Sequence, residues 1–215
     1  MKALVTGAGG GIGAAVSRAL DARGYDLILV DRERASLDAL ARTLDREPKK
    51  TVCDLGSRDD VEVLCERFHT DLADLDILIN NAGVVLPGAV AGLTPEALDL
   101  HLEINLRAPI RLMRAAAPQM IARKSGAMVA TVSLGGVISL KDSAIYSASK
   151  FGLRGFLCGL HQELAPCGVK VSGVYPAAVD TPMLHHEAMH GGSVLNFIDK
   201  VMSPEDIAMA TLKAI

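Results

Sequence analysis

The segment from Ala3 to Asp31 constrains this chain most. Ala3-Leu4-Val5-Thr6 is a short apolar run that fits a buried strand, and it ends in Gly7-Ala8-Gly9-Gly10-Gly11-Ile12-Gly13. Ala14 to Arg23 reads as a helix, with Ala15, Val16, Ala19 and Leu20 on its apolar face and Gly24 as its stop. Leu27 to Val30 is a second apolar strand, closed by Asp31. Strand, glycine-rich turn, helix, strand, acid is the plan of a dinucleotide-binding βαβ unit.

The glycines have separate tasks. Some allow backbone angles closed to other residues, and some let the chain approach a pyrophosphate. The free N–H groups at the helix start then face the phosphates, and the helix dipole adds to the attraction. The common G-x-G-x-x-G spacing, counted from Gly7 and Gly9, would put a glycine at position 12, where this chain has Ile12. What stands here is Thr6-Gly7-x-x-x-Gly11-Ile12-Gly13. A carboxylate at Asp31 can accept hydrogen bonds from an adenosine ribose and repel a 2′-phosphate, which favours NAD over NADP. Arg32 is the complication, because it can turn toward a 2′-phosphate or cover the adenine ring.

Strand and helix patterns alternate through the rest of the chain, so parallel strands with crossover helices are expected. Ala35 to Leu44 has helical spacing, Thr51 to Cys53 is a short strand, and Ser57 looks like the cap of a helix from Val61 to Phe68. Leu75 to Ile79 is a strand that leads into Asn80-Asn81-Ala82-Gly83. Thr94-Pro95-Glu96 opens a helix that passes Asn105, with Pro109 bending it or starting its next segment. Ala127 to Val132 is a strand ending at Ser133, and Val169 to Tyr175 is another. Ser203-Pro204 opens the last helix. The stretch from His185 to Met202 is weakly patterned, and residues 182–202 are expected to be a mobile substrate loop.

The helix reaching Leu164 carries Tyr146 and Lys150, four residues apart and on one face. An ammonium beside a phenol favours the phenolate and lowers its pKa, so the phenol can pass a proton near neutral pH. Bulk composition excludes other roles. The 215 residues are half hydrophobic but only 3% aromatic, which implies one domain with an aliphatic core. A formal net charge of -3 makes no case for nucleic acid. No run is long and apolar enough for a membrane span, no signal peptide is read at Met1, and the four cysteines lack metal spacing. A cytoplasmic protein without a metal is expected. His185, His186 and His190 read as solvated loop residues.

Together these motifs resemble the short-chain dehydrogenase/reductase family over nearly the whole chain. The resemblance implies an α/β, Rossmann-type, doubly wound parallel sheet in a single domain, 1–215, of six or seven strands. It implies an oxidoreductase that transfers a hydride between NAD, or alternatively NADP, and a secondary alcohol or ketone. The catalytic residues would be Asn105, Ser133, Tyr146 and Lys150. Tyr146 would be the general acid or base, Ser133 would hold the substrate oxygen, and Lys150 would also bond the nicotinamide ribose. Asn105 would hold a water behind Lys150. Cofactor contacts would come from Thr6, Gly7, Gly9, Gly10, Gly11, Ile12 and Gly13, from Asp31 and Arg32, and from Asp54 and Leu55. Asn81, Ala82, Gly83, Tyr146, Lys150, Pro176, Val179 and Thr181 would complete them. The family usually has Pro-Gly where this chain has Pro176-Ala177, and a seventh strand after the last helix. Segments 84–87, 134–140 and 182–202 would frame a modestly hydrophobic alcohol or ketone. Helices holding Arg107 to Ala122 and Ser147 to Leu164 would pair subunits into a homodimer or homotetramer. A catalytically silent nucleotide sensor is the rival reading.

Overall fold

The computed structural model describes residues 1–139, 141–189 and 200–215. Its six strands are β1 (Lys2–Thr6), β2 (Asp26–Asp31), β3 (Lys49–Val52), β4 (Ile77–Asn80), β5 (Ala127–Thr131) and β6 (Lys170–Val174). They form one sheet in the order β3-β2-β1-β4-β5-β6, and every pairing is parallel. The order reverses between β1 and β4. The crevice outside the carboxyl ends of those two strands is where such a sheet binds its ligand.

Both faces of the sheet are covered, which is why its strands read as continuous apolar runs rather than alternating ones. On one face Leu4, Ile28, Leu78 and Met128 pack with α3 (Arg58–Glu66), α5 (Ala108–Arg123) and α6 (Ala144–Leu164). On the other, Val5, Leu29, Ile79 and Val129 pack with α1 (Gly11–Asp21), α2 (Arg34–Ala41) and α8 (Pro204–Lys213). Phe68 is the largest side chain that is fully buried; the core is otherwise almost entirely aliphatic, as the composition requires.

The predicted helix starts at Ser57, Thr94 and Ser203 are each a side-chain cap. Their hydroxyls accept from the N–H of Asp60, Ala97 and Asp206. Thr94 opens α4 (Pro95–Leu102), which runs through a π-helical turn, Glu103–Arg107, into α5. There the Ala108 N–H reaches back five residues to the Glu103 carbonyl, and Pro109 has no N–H to offer Asn105. Pro109 therefore begins a segment rather than breaking one.

One expectation is corrected. Residues 182–202 read as a loop, but the structure forms α7 over Pro182–Met189. The Thr181 hydroxyl accepts from the Leu184 N–H at 3.4 Å, and Pro182 stands in the first turn. This start has the form of Thr94-Pro95. The periodic signal was absent because only Leu184 is buried along α7. Residues 190–199, with His190, and Leu140 of the expected 134–140 wall lie outside the described residues.

Candidate active site

The glycine loop between β1 and α1 is too tightly enclosed for side chains. Gly7 has φ of +61°, and a Cβ there would lie 2.8 Å from Ala82 Cα. A Cβ on Gly11 would lie 2.8 Å from Thr181 Cγ2, and one on Gly13 only 2.0 Å from the Gly7 carbonyl oxygen. The loop delivers the chain into α1, whose start has no side-chain cap and no acid in its first turn. Its first N–H groups and positive dipole end are thus offered outward at the switch point of the sheet, an arrangement that fits a pyrophosphate. Asp31 sits at the rim. Its carboxylate accepts from the N–H of Gly9 at 2.9 Å and of Glu33 at 3.2 Å. Arg32 is exposed and lies 3.9 Å from the Glu33 carboxylate.

A polar seam crosses the ends of β1, β4 and β5. The Asn81 amide donates to the carbonyls of Thr6 and Gly7, both at 3.2 Å, and accepts from the Thr131 hydroxyl at 3.2 Å. The Thr6 hydroxyl accepts from the N–H of Asn81 at 3.0 Å and of Ala82 at 3.1 Å. The Thr131 carbonyl receives the Lys150 ammonium at 2.9 Å. Lys150, reached from α6, is therefore tied through three strand ends to the glycine loop. Thr6 and Asn81 hold that loop with their side chains.

Ser133, Tyr146, Lys150 and Asn105 come together beyond β5. The Ser133 hydroxyl stands beside the Tyr146 phenol, with Gly135 against both, and favours the ionised form of that phenol. Asn105 is fully buried in the π turn; its amide exchanges two hydrogen bonds with the backbone of Val84, each at 2.9 Å, and donates to Ser149 at 3.2 Å. Its side chain is thus engaged with Val84 and Ser149. Gly83 lies over both, with its would-be Cβ 3.2 Å from Asn105 Oδ1 and 3.5 Å from Lys150 Nζ. Gly135 has the same function beside the phenol, where a Cβ would meet Tyr146 Cε1 at 2.8 Å.

Ser133 carries strain. Its φ of 112° and ψ of 155° belong to a region essentially confined to glycine. The flanking residues impose it: Val132 N–H donates to Val174 at 2.8 Å and Leu134 N–H to Pro176 at 2.7 Å. The Ser133 hydroxyl accepts from the Gly135 N–H at 3.0 Å.

The electrostatics correct one expectation. Burial pushes the Tyr146 phenol up to about 12; the Ser133 hydroxyl opposes this, and the charge of Glu187 adds to it. Burial pulls Lys150 down to about 8. The spacing of Tyr146 and Lys150 suggested a depressed phenol, but the Lys150 ammonium is aimed at Thr131 and stands 5.9 Å from the phenol ring centroid. Desolvation outweighs the charge at that separation.

The remaining candidates are spread along the same crevice. Asp54 accepts from the Gly56 N–H at 2.8 Å, and Leu55 is buried in the core. Pro176 accepts from Leu134, Val179 bridges to Met202, and Thr181 caps α7. Ala177 needs no left-handed backbone, since Lys124, Ser133 and Asp142 are the non-glycine residues with positive φ among those described. His101, one turn before Asn105, was missed. It is fully buried and its ring meets the Tyr146 ring edge-on. The signal available was a lone histidine on the inner face of the helix that carries Asn105.

A family model described as short chain dehydrogenase matches residues 1–190. The chain belongs to that family of oxidoreductases. It is 38% identical over 182 residues to nodulation protein G of Rhizobium meliloti (strain 1021), covering 85% of this chain and 74% of that protein. Among solved structures it resembles a short-chain dehydrogenase from Sphingobium yanoikuyae in complex with NADPH. The identity is 33% and the TM-score 0.89, over 99% of this chain and 82% of that one. A bulky-bulky ketone specific alcohol dehydrogenase from Comamonas testosteroni aligns with 29% identity and a TM-score of 0.86, over 99% and 81% of the two chains.

Two stability predictions follow from the strain and the burial. Ser133→Gly should exceed Ser133→Ala in stability by about 1 kcal/mol, reversing the usual order, because glycine relieves a conformation costing about 1–3 kcal/mol. Urea midpoints check this, and an alanine variant at least as stable contradicts it. Lys150 ordinarily titrates at 10.5 but at about 8 when folded. Between those values the unfolded chain holds the proton that the folded chain has lost. Stability should therefore rise with pH across that window, by at most about 3 kcal/mol. Tyr146 acts oppositely: its ordinary 10.0 becomes about 12, so its contribution falls with pH between them. Lys150→Met should abolish the rise between pH 8 and 10 in urea melts; an unchanged slope contradicts the assignment.

Proposed function

We propose that this protein is an NAD(H)-dependent alcohol dehydrogenase or carbonyl reductase that acts on secondary alcohols and ketones, with Tyr146 as general acid and base. The observation that carries this reading is the Ser133–Tyr146 hydroxyl pair beside buried Lys150, at the same strand ends as the glycine loop. In reduction, a substrate oxygen would bond both hydroxyls; Tyr146 gives its proton to that oxygen and Ser133 stabilises the developing charge. A nicotinamide cofactor bound there would supply the hydride for reduction and accept it in oxidation. Lys150 as ammonium would bond the ribose of that cofactor from its place at the Thr131 carbonyl. Asn105 lies within the π turn, and its carbonyl, to which Pro109 offers no N–H, is where a water would extend the proton path.

The first N–H groups of α1 and Gly7 to Gly13 would hold the pyrophosphate, with Asp31 on the adenosine ribose. Asp31, held beside the glycine loop by the Gly9 N–H, supports NAD, since a carboxylate on the adenosine ribose would repel a 2′-phosphate. An NADPH-dependent carbonyl reductase is the second reading, favoured by the NADPH complex of the Sphingobium relative. The pocket would be walled by residues 84–87, 134–139 and α7, suiting a modestly hydrophobic substrate. Assembly as a homodimer or homotetramer through α5 and α6, in the cytoplasm, belongs to the same reading. Its support is the exposed Phe151 on α6 and the absence, among described residues, of a helix able to cross a membrane.

Fluorescence titration with NADH and NADPH tests the cofactor, and ketone reduction tests the chemistry. NADH should bind more tightly, and Asp31→Ala should narrow the difference. Tyr146→Phe should bind NADH normally and lose about 10²-fold or more in turnover. Binding of neither nucleotide, or full turnover in Tyr146→Phe, overturns the proposal.

A further inference from the structure

His101 is a fully buried titratable side chain that the chemistry above does not use. It lies on α4, one turn before Asn105. Its Nδ1 is 2.7 Å from the Ala97 carbonyl oxygen, and its Nε2 is 3.1 Å from the Leu86 backbone nitrogen. The carbonyl can only accept and the N–H can only donate, so the two contacts fix one neutral tautomer, protonated at Nδ1. The ring then meets the Tyr146 ring edge-on, with centroids 6.5 Å apart and planes at 73°. That is the preferred geometry of an aromatic pair.

The contact to Leu86 is one of three stitches along the segment after Gly83. Val84 N–H donates to Asn105 Oδ1 at 2.9 Å, Leu86 N–H to His101 Nε2 at 3.1 Å, and Gly88 N–H to the Asp142 carbonyl at 2.9 Å. These are alternate residues, and Pro87 has no N–H. One edge of the segment is therefore fastened to the elements around the proton-transfer group: the α4–π helix through Asn105 and His101, and the approach to α6, which carries Tyr146, through Asp142. His101 extends the Asn105 clamp by one helical turn and touches Tyr146 as it does so. A leucine would fill the same space and leave a buried donor unpaired. A phenylalanine would keep the ring and lose the acceptor, and a glutamine would keep an acceptor and lose the ring.

We propose that His101 is a positioning residue for Tyr146 and for the pocket wall formed by Val84 to Pro87, through its Nδ1-protonated tautomer clamped on Leu86. It sets the phenol and the wall in one register, so it governs turnover and substrate fit without contributing to nucleotide binding. This rests on the reading of Tyr146 as the proton-transfer residue.

The test uses the full chain with His101→Phe and His101→Gln, and NADH with cyclohexanone and acetophenone as probes. Both variants should bind NADH within about twofold of wild type, because neither touches the glycine loop. Both should lose tenfold or more in kcat per folded molecule, with the KM for the ketone raised in His101→Phe, which frees Leu86. Nitrogen-15 NMR of the imidazoles should show His101 protonated at Nδ1. Of the three tyrosines, Tyr146 should shift its ring signals in both variants while Tyr25 and Tyr175 hold theirs. A His101 protonated at Nε2, unmoved Tyr146 signals, or a lowered melting temperature with kcat unchanged overturns the proposal. Wild type that binds no NADH, or Tyr146→Phe with full turnover, sinks the reading of the enzyme instead; the NMR arm still decides the clamp.

Discussion

The hydrogen-bonded seam Thr6–Asn81–Thr131–Lys150 is the constraint on which the site depends. A parallel sheet places its loops at the carboxyl end but does not by itself fix their spacing. Asn81 does so by spending its amide on β1, on the glycine loop and on β5 at once. Thr131 then uses its hydroxyl toward Asn81 and its carbonyl toward Lys150. The cradle for a dinucleotide and the lysine beside the phenol are thereby held in one register by side chains from three neighbouring strands. Hydrogen bonds in such a partly buried network are costly to leave half-made, so the seam favours a single arrangement.

The same region holds the least comfortable groups in the molecule. A lysine is buried against a backbone carbonyl, a phenol is desolvated, and a serine adopts a glycine-like conformation. None of these helps the fold. Each is tolerated because the surroundings over-determine it: the sheet grips the residues on both sides of Ser133, and the α4–π–α5 helix grips the segment that covers Lys150. Strain and desolvation gathered at one point of a fold mark a candidate functional site.

Much of this was legible in the chain. The strand–glycine–helix–strand–acid plan fixed the β1–α1–β2 unit because glycine spacing and apolar runs are local signals. The starts at Ser57, Thr94 and Ser203 were readable for the same reason. Ser133, Tyr146, Lys150 and Asn105 converge because each lies at a strand end or on a helix face that the alternation places at one edge. What was not legible is long-range. Asn81 serves as a strut, a function that appears only when three strands are side by side. The φ of Ser133 is imposed by Val174 and Pro176, far along the chain. His101 gains its meaning from Leu86 and Tyr146. Proximity in sequence suggested that Lys150 would depress the Tyr146 phenol, whereas burial, a tertiary property, sets the opposite direction in the folded chain. Helix α7 carried a cap signal of the kind read correctly elsewhere, but a single buried leucine gave it no period to follow.

The central claim is that the seam positions the nucleotide cradle. It is tested most directly by the NADH dissociation constant of Asn81→Ala, measured by fluorescence titration at a temperature where circular dichroism shows the variant folded. The account predicts affinity weakened about tenfold or more, the equivalent of about 1.4 kcal/mol, because the Gly7 carbonyl and the Thr131 hydroxyl lose their common partner. Wild-type affinity in the folded variant would contradict it.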